Sequence, residues 1–289
     1  MKRQKPRRQI VRLAGRSIVA VGQQRRPWSD FSHRAMVVSW PVFIASVAFI
    51  ILALNGLFAG LYFLGSNPVA HARPGSFSDL FYFSVETLST VGYGDMHPQT
   101  QFGHMVATVE SFTGIFFIAL MTGLIYARFS RPRARILFSD IATIAKRDGV
   151  PTLALRMANE RHNYISDAHA ALWLLSGIRT KEGRSFRGFE PLALMRAENP
   201  AFALSWALFH VIDASSPLYG KTAQDLADDN AQFVLNMTGY DETSAQTIHA
   251  RKVYNHEDVV WGKHFVDILS VKESVATLDY NRFHDSEEE

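Results

Sequence analysis

Two uncharged stretches followed by a long alternating half divide this sequence. No charged residue occurs over residues 40–64, and over residues 102–128 only Glu110 interrupts before the closing arginine. A helix over the first stretch reaches roughly 37 Å at about 1.5 Å per residue, enough to cross a bilayer with some tilt. Pro41 falls in its first turn, where a missing N–H is tolerated. Between the stretches, Asn67-Pro68 and Arg73-Pro74-Gly75 mark residues 65–76 as a loop. Residues 77–89 follow as an apolar helix, with Ser78 and Asp79 at its start. At about 13 residues it is too short to span. A half-length helix running into glycines fits a re-entrant element, tolerated at membrane depth only where protein surrounds it. Ahead of the first stretch, residues 30–39 mix Asp30, His33 and Arg34 with Phe31, Met36, Val37 and Val38. They read as a short amphipathic slide helix at the inner surface, or as a plain polar lead-in to the span.

After Pro132 the pattern changes to short alternating runs separated by turns. Residues 136–146 and 152–158 flank Arg147-Asp148-Gly149 and read as a hairpin; residues 168–179 and 184–194 read as another. Further strands are expected at 202–212, 232–238, 247–254 and 259–270, a spacing that predicts an all-β sandwich. The organisation is therefore a basic arm (1–29), a short amphipathic segment (30–39), a membrane domain (40–130) and a β-sandwich domain (131–289). Within the membrane domain the first span takes 40–64, the re-entrant helix 77–89, the glycine-containing segment it runs into 90–94 and the second span 102–128.

Composition changes this picture in two places. The 289 residues include no cysteine, which excludes disulfides, thiol chemistry and Cys-ligated metals. The first 34 residues hold ten Lys and Arg against one acid, Asp30. Next to a span, attraction to anionic headgroups explains such an arm better than nucleic acid does. Its apolar part is interrupted by Arg12 and Arg16 and makes no signal-peptide core. Arg128, Arg131, Arg133 and Arg135 close the second span, whereas the loop between the spans has one basic residue, Arg73. The positive-inside rule then puts both termini in the cytoplasm and the loop outside.

The candidate chemistry lies in that loop, in Thr90-Val91-Gly92-Tyr93-Gly94. A dehydrated cation needs rings of backbone carbonyl oxygens in place of its water. Aiming successive carbonyls at one axis needs alternating dihedrals, which Gly92 and Gly94 reach at little steric cost. Thr90 adds a hydroxyl at the inner mouth, and Tyr93 braces the filter sideways. One chain supplies one wall, so four copies are implied. Gly-Tyr-Gly alone is a weak signal; its place between two spans makes it strong.

Several further motifs accompany the filter. Val38-Ser39-Trp40-Pro41-Val42-Phe43 opens the first span, Ala72-Arg73-Pro74-Gly75-Ser76-Phe77 precedes the pore helix, and Leu124-Ile125-Tyr126-Ala127-Arg128-Phe129 ends the second span. Ile212-Asp213-Ala214-Ser215-Ser216-Pro217-Leu218-Tyr219-Gly220 and Trp261-Gly262-Lys263-His264-Phe265 lie in the β half. With these the chain resembles the inward-rectifier potassium channels, and most closely their bacterial KirBac branch, over about residues 28–283. The resemblance implies a homotetramer with an immunoglobulin-like cytoplasmic domain, K+ as permeant ion and no cofactor. Asp95 after the last filter glycine, and Met96 where animal members carry an arginine, depart from the family pattern. Ser84-Val85-Glu86-Thr87 with Gly94-Asp95 instead resembles small pH-gated bacterial potassium channels. That implies a proton shared between Glu86 and Asp95, with Tyr82 as a third member; the alternative is that each acid meets water or backbone separately.

On the second span Ile118, Thr122 and Tyr126 stand four apart on one face, which by resemblance lines the pore and gates by dewetting. Isoleucine at 118, where strongly rectifying relatives carry an acid, implies weak polyamine block. Gly114 and Gly123 are candidate hinges, although helix packing explains Gly114 nearly as well. Glu110, a carboxyl inside a span, is expected near the pore helix as a structural or proton-sensitive group. Arg128, Arg131 and Arg133 match the family's anionic-lipid site, where phosphoinositides inhibit bacterial members. A non-conducting membrane-anchored binding protein is the alternative reading. His210, Asp213 and Ser215 as a triad, or His256, Glu257 and His264 as a metal site, lack the required patterns. No nucleotide-binding glycine motif follows residue 130.

Overall fold

Each uncharged stretch forms one long helix, and the alternating half forms paired sheets. The computed structural model describes residues 8–13, 16–21, 31–132, 134–161, 163–179, 182, 185–272 and 275–289. Much of the basic arm, Asp30, Arg133 and most of the turn near 180–184 lie outside the described residues. The chain divides into two compact units, Met1–Arg131 and Pro132–Glu289.

In the first unit, β1 (Arg8–Leu13) and β2 (Arg16–Val21) pair as an antiparallel hairpin. The sequence reading of that arm rests on charge alone and does not include it. A short helix α1 (Phe31–Val37) leads into α2 (Trp40–Phe63), which begins on extended Ser39 with Pro41 in its first turn. Strand β3 (Val69–Ala70) precedes α3 (Phe77–Leu88); β4 (His97–Pro98) then pairs back onto β3 and α4 (Gln101–Phe129) follows. Both α2 and α4 are long and apolar enough to cross a membrane. Their starts are locally specified. The hydroxyl of Ser76 accepts from the Asp79 N–H, and that of Thr100 from the Gly103 N–H. Arg73 grips Asp79 with its Nε (2.9 Å), Nη2 (2.7 Å) and backbone N–H (2.9 Å), pinning the loop to the first turn of α3. Those bonds hold the Asp79 carboxyl well below the usual carboxylate range. Phe58, Ala59, Tyr62, Val69, Leu80, Phe83 and Leu88 form the small core where α2 meets α3.

In the second unit the strands are β5 (Ile136–Phe138), β6 (Ala142–Arg147), β7 (Val150–Asn159), β8 (Ile165–Arg179), β9 (Ser185–Leu192), β10 (Glu198–Phe202) and β11 (Ser205–Val211). After a short helix α5 (Ala223–Asp228) come β12 (Gln232–Asp241), β13 (Gln246–Asn255) and β14 (Val259–Trp261). One sheet runs β10-β8-β12-β13 with β9 also on β8; the other runs β11-β7-β6-β14 with β5 also on β7. Every second residue points into the shared core: Leu153, Leu155 and Met157 from one sheet, Ala170, Leu172, Leu174, Phe233, Leu235 and Met237 from the other. The unit is a β-sandwich.

The strand pattern differs from the sequence reading at four points. Residues 136–146 are two strands, because the Ser139 N–H donates to the Arg156 carbonyl while its hydroxyl accepts from the Arg156 N–H. Residues 202–212 break because the chain changes sheets: β10 pairs with β8, and β11 with β7. Gly262, at φ +69°, separates β14 from β15 (Lys263–Phe265). After β16 (Leu269–Lys272) and β17 (Val275–Leu278), β18 (Ser286–Glu288) returns to pair with β15. Helix α5 has no counterpart among the expected elements. Thr222 and Asp225 start it with a reciprocal capping box, which is the sequence signal for so short a helix.

Arg156 locks this returning segment. Its side chain is buried; Nη2 donates to the Val266 carbonyl (2.7 Å), Nη1 to that of Phe283 (3.5 Å), and the guanidinium sits 4.5 Å from the Phe265 ring centre. Burial pulls the guanidinium below its ordinary range, and Asp267 partly opposes this. Arg156→Ala strands two buried carbonyls, so it should cost roughly 2 kcal/mol or more. The measurement is chemical denaturation of the detergent-solubilised protein; a midpoint unchanged from wild type would remove Arg156 from this role.

Candidate ion-conduction site

The filter segment is shaped by where its N–H groups go. The N–H of Thr90 donates to the Thr87 carbonyl (3.1 Å), and those of Val91 (2.9 Å) and Gly92 (3.3 Å) both donate to the Glu86 carbonyl. The amides thus face the end of α3 and satisfy carbonyls that a helix terminus leaves open. Thr90, Gly92 and Gly94 have φ of +60°, +51° and +84°, whereas Val91 and Tyr93 between them are not left-handed. Alternating handedness turns successive peptide planes the same way, so the carbonyls collect on the side opposite the amides. Glycine makes this cheap at 92 and 94. Thr90 is the exception: a left-handed β-branched residue costs on the order of 1–3 kcal/mol unless its surroundings hold it. Its amide bond to Thr87 supplies part of that hold.

The structure does not join Glu86 to Asp95. Among the described residues no hydrogen bond links them. Asp95 instead turns outward, its carbonyl bonded to His71 Nδ1 at 2.8 Å and its carboxyl 3.9 Å from the same nitrogen. Tyr82 is exposed, its ring against Phe81. The buried carboxyl of this unit is Glu110. Its Oε2 accepts from the Tyr62 hydroxyl (2.7 Å), and its Oε1 contacts the Ser84 hydroxyl on α3. Ser84 Oγ also lies 3.1 Å from Asn55 Oδ1. Sequence reasoning singled out Glu110 but missed its partners. The available signal was that Asn55 and Tyr62, seven apart, share one face of an otherwise apolar helix.

Residues 42–131 match an ion-channel family profile, and residues 136–288 match the inward rectifier potassium channel C-terminal domain, more than half of the chain. The inward rectifier potassium channel Kirbac3.1 of Paramagnetospirillum magnetotacticum is 40% identical over 284 residues, covering 97% of this chain and 96% of that protein. The chain belongs to the inward rectifier potassium channel family. Human relatives are more distant. The G protein-activated inward rectifier potassium channel 1 is 29% identical over 86% of this chain, which spans 51% of that protein's length. The ATP-sensitive inward rectifier potassium channel 12 is 30% identical over 86% of this chain, which spans 59% of it. The chain therefore spans little more than half the length of these two.

On the inner helix of this inward rectifier, Ile118, Thr122 and Tyr126 are all exposed in one protomer, and the Thr122 hydroxyl donates to the Ile118 carbonyl at 2.9 Å. The two glycines behave differently. A Cβ on Gly114 would collide with the Leu88 carbonyl oxygen at the end of α3, so this glycine permits close packing, the alternative to the hinge expected from the sequence. Gly123 meets nothing within 4 Å. Arg128 also differs from its sequence assignment. It is buried, donates to the carbonyls of Ala35 and Val38, and lies over the rings of Trp40 (4.7 Å) and Phe43 (4.4 Å). Its head is used inside the protein, tying α4 to the end of α1. Arg131 donates to the Met36 carbonyl at 2.8 Å and is otherwise exposed; Arg133 is outside the described residues. In the sandwich, His210 bonds the Ala193 carbonyl and Ser216 (both 2.8 Å), while Asp213 accepts from Ser215. Those groups form a turn, not a triad.

Gly114→Ala should displace α3 and cost about 1–3 kcal/mol from overpacking against a backbone oxygen. The expected outcome is a less heat-stable protein with impaired ion flux. Gly123→Ala should raise helix stability by up to about 1 kcal/mol, and would lower flux only if the helix bends there. Thermal melting and flux on both variants separate these roles.

Proposed function

We propose that four copies of this chain surround one axis and form a potassium-selective channel in a bacterial plasma membrane. Main-chain oxygens of Thr90, Val91, Gly92 and Tyr93 take the place of water around K+. The observation that carries this reading is the direction of the filter amides: they point to the Glu86 and Thr87 carbonyls, leaving the oxygens together on the other side. Val91 and Tyr93 are 54% and 78% exposed in one protomer, surface that neighbouring copies would cover. The C-terminal end of α3 adds the negative end of a helix dipole beside the cation's route. Rings of Ile118 and Tyr126 would close the inner end by dewetting, and no carboxylate at 118 is available to hold a polyamine. The distribution of basic residues supports cytoplasmic termini.

Anionic lipid is the proposed regulator, with phosphoinositide inhibiting. Support for a lipid contact narrows to Arg131, which is exposed and uses Nη1 on the Met36 carbonyl, and to Arg133 by its place in the sequence. A basic residue at the membrane surface contributes about 1 kcal/mol of attraction to anionic lipid.

Rubidium uptake into proteoliposomes should exceed sodium uptake strongly, with neither seen in protein-free vesicles. Absence of uptake by a well-formed tetramer would favour the non-conducting binding protein instead. Added phosphoinositide should slow uptake, and Arg131→Gln should weaken that response. Uptake indifferent to the lipid would count against the lipid site while leaving conduction intact.

A further inference from the structure

The cluster joining α2, α3 and α4 contains more close oxygen contacts than ordinary protonation can fill. Tyr62, Ser84 and Glu110 are each fully buried and Asn55 is 2% exposed. Three contacts between side-chain oxygens link them: Tyr62 Oη to Glu110 Oε2, Ser84 Oγ to Glu110 Oε1, and Ser84 Oγ to Asn55 Oδ1. Each contact needs one hydrogen between its oxygens. Tyr62 and Ser84 bring one each, which makes two. Asn55 cannot supply the third. Its Nδ2 donates to the Ile51 carbonyl at 2.8 Å, and flipping the amide would set its oxygen against that carbonyl. The missing hydrogen therefore belongs to the carboxyl.

Its position is fixed by the same count. A proton on Oε2, aimed at Tyr62, would leave the Ser84 hydrogen to serve both Oε1 and Asn55, and one contact would stay empty. A proton on Oε1 fills all three. Tyr62 donates to Oε2, Oε1 donates to Ser84, Ser84 donates to Asn55, and Asn55 donates to Ile51. The chain runs one way through three helices and fills all three oxygen contacts. A carboxylate would instead leave two lone-pair oxygens, Ser84 and Asn55, facing each other in a dry site, where an unmade bond is costly.

The charges around the site agree. Among the described residues, no Lys, Arg or His forms an ion pair with Glu110. The one titratable side chain bonded to it is Tyr62 of α2. On α3, Asp79 is held by Arg73 at the outer end, and Glu86 lies two residues past Ser84, about 200° around the helix. Nothing offsets a negative charge there, and a buried charge without a partner is expensive.

We propose that Glu110 is a neutral, protonated hydrogen-bond relay that clips the pore helix to both spanning helices, its Oε1–H donating to Ser84. Ser84 stands two residues before Glu86, whose carbonyl holds the Val91 and Gly92 amides, so the clip is a positioning device for the filter. The positioning role rests on the channel reading; the protonation state does not.

Two measurements on the full-length protein in lipid test it. Glu110→Gln keeps the relay, since its amide N–H can donate to Ser84 and its oxygen can accept from Tyr62. Infrared difference spectra between wild type and Glu110→Gln should show loss of a protonated-carboxyl C=O band; loss of a carboxylate band instead would overturn the proposal. Rubidium uptake by Glu110→Gln should stay within about twofold of wild type, while Glu110→Ala and Ser84→Ala, each assayed as an intact tetramer, should fall about tenfold. Should Glu110→Gln lose flux as fully as Glu110→Ala, the relay role is wrong. The spectrum reads the proton whether or not ions pass, so a wild type without uptake would sink the channel reading alone.

Discussion

A segment without regular secondary structure can sit at membrane depth only if protein satisfies every amide it carries. The filter segment goes far toward meeting this constraint by giving the N–H groups of Thr90, Val91 and Gly92 to the last carbonyls of α3, which a helix end leaves open. Two unsatisfied sets cancel, and the cancellation has a direction. With those three amides committed to Glu86 and Thr87, the carbonyls of residues 90–93 accept no hydrogen bond among the described residues. They are left as a row of oxygens for which a dehydrated cation is a natural partner. The dihedral alternation through Gly92 and Gly94 follows from this constraint, as does the left-handed Thr90.

Because the filter hangs from α3, whatever fixes α3 fixes the filter, and α4 does much of that. Gly114 lets α4 approach the Leu88 carbonyl, the last residue of the pore helix. One turn earlier, on the same side, Glu110 reaches Ser84 and Tyr62. At its inner end α4 carries Arg128, whose guanidinium is stacked on Trp40 and Phe43 and bonded to the end of α1. The exposed face with Ile118, Thr122 and Tyr126 lies between these attachments. A single helix therefore connects α1 to the helix that holds the filter segment. A tilt or rotation of α4 that widened the inner face would strain contacts at both ends.

What the sequence made legible follows from which physics is local. Spans are legible because a charge in hydrocarbon is prohibitive, so its absence over residues 40–64 is visible without any partner. Gly92 and Gly94 are legible because few other residues take the backbone conformation a filter needs. The β6–β7 hairpin is legible from alternation around Arg147-Asp148-Gly149. Pairwise facts are not. Gly114 looks like a flexible point until the Leu88 carbonyl is seen against it. Arg128 looks like a surface charge until the carbonyls of Ala35 and Val38 are found beneath it. The break between β10 and β11 is invisible in the pattern, because Ala203-Leu204 continues the apolar alternation while the chain crosses to the opposite sheet.

The two units solve the problem of buried polarity with opposite chemistry. In the sandwich, Arg156 keeps its charge and lays it against two carbonyls and an aromatic face, with Asp267 contributing a compensating field. Donors to carbonyls are what this returning segment takes from Arg156. In the helical unit the available neighbours are a phenol, a hydroxyl and an amide, none of which carries positive charge. A carboxyl among such partners is better accommodated by shedding charge than by finding it a mate. Glu110 and Glu86 therefore need not serve alike, although one packs against the pore helix and the other lies on it. The acid bonded to two buried hydroxyls acts through its proton, while the backbone carbonyl of the other is what the Val91 and Gly92 amides use.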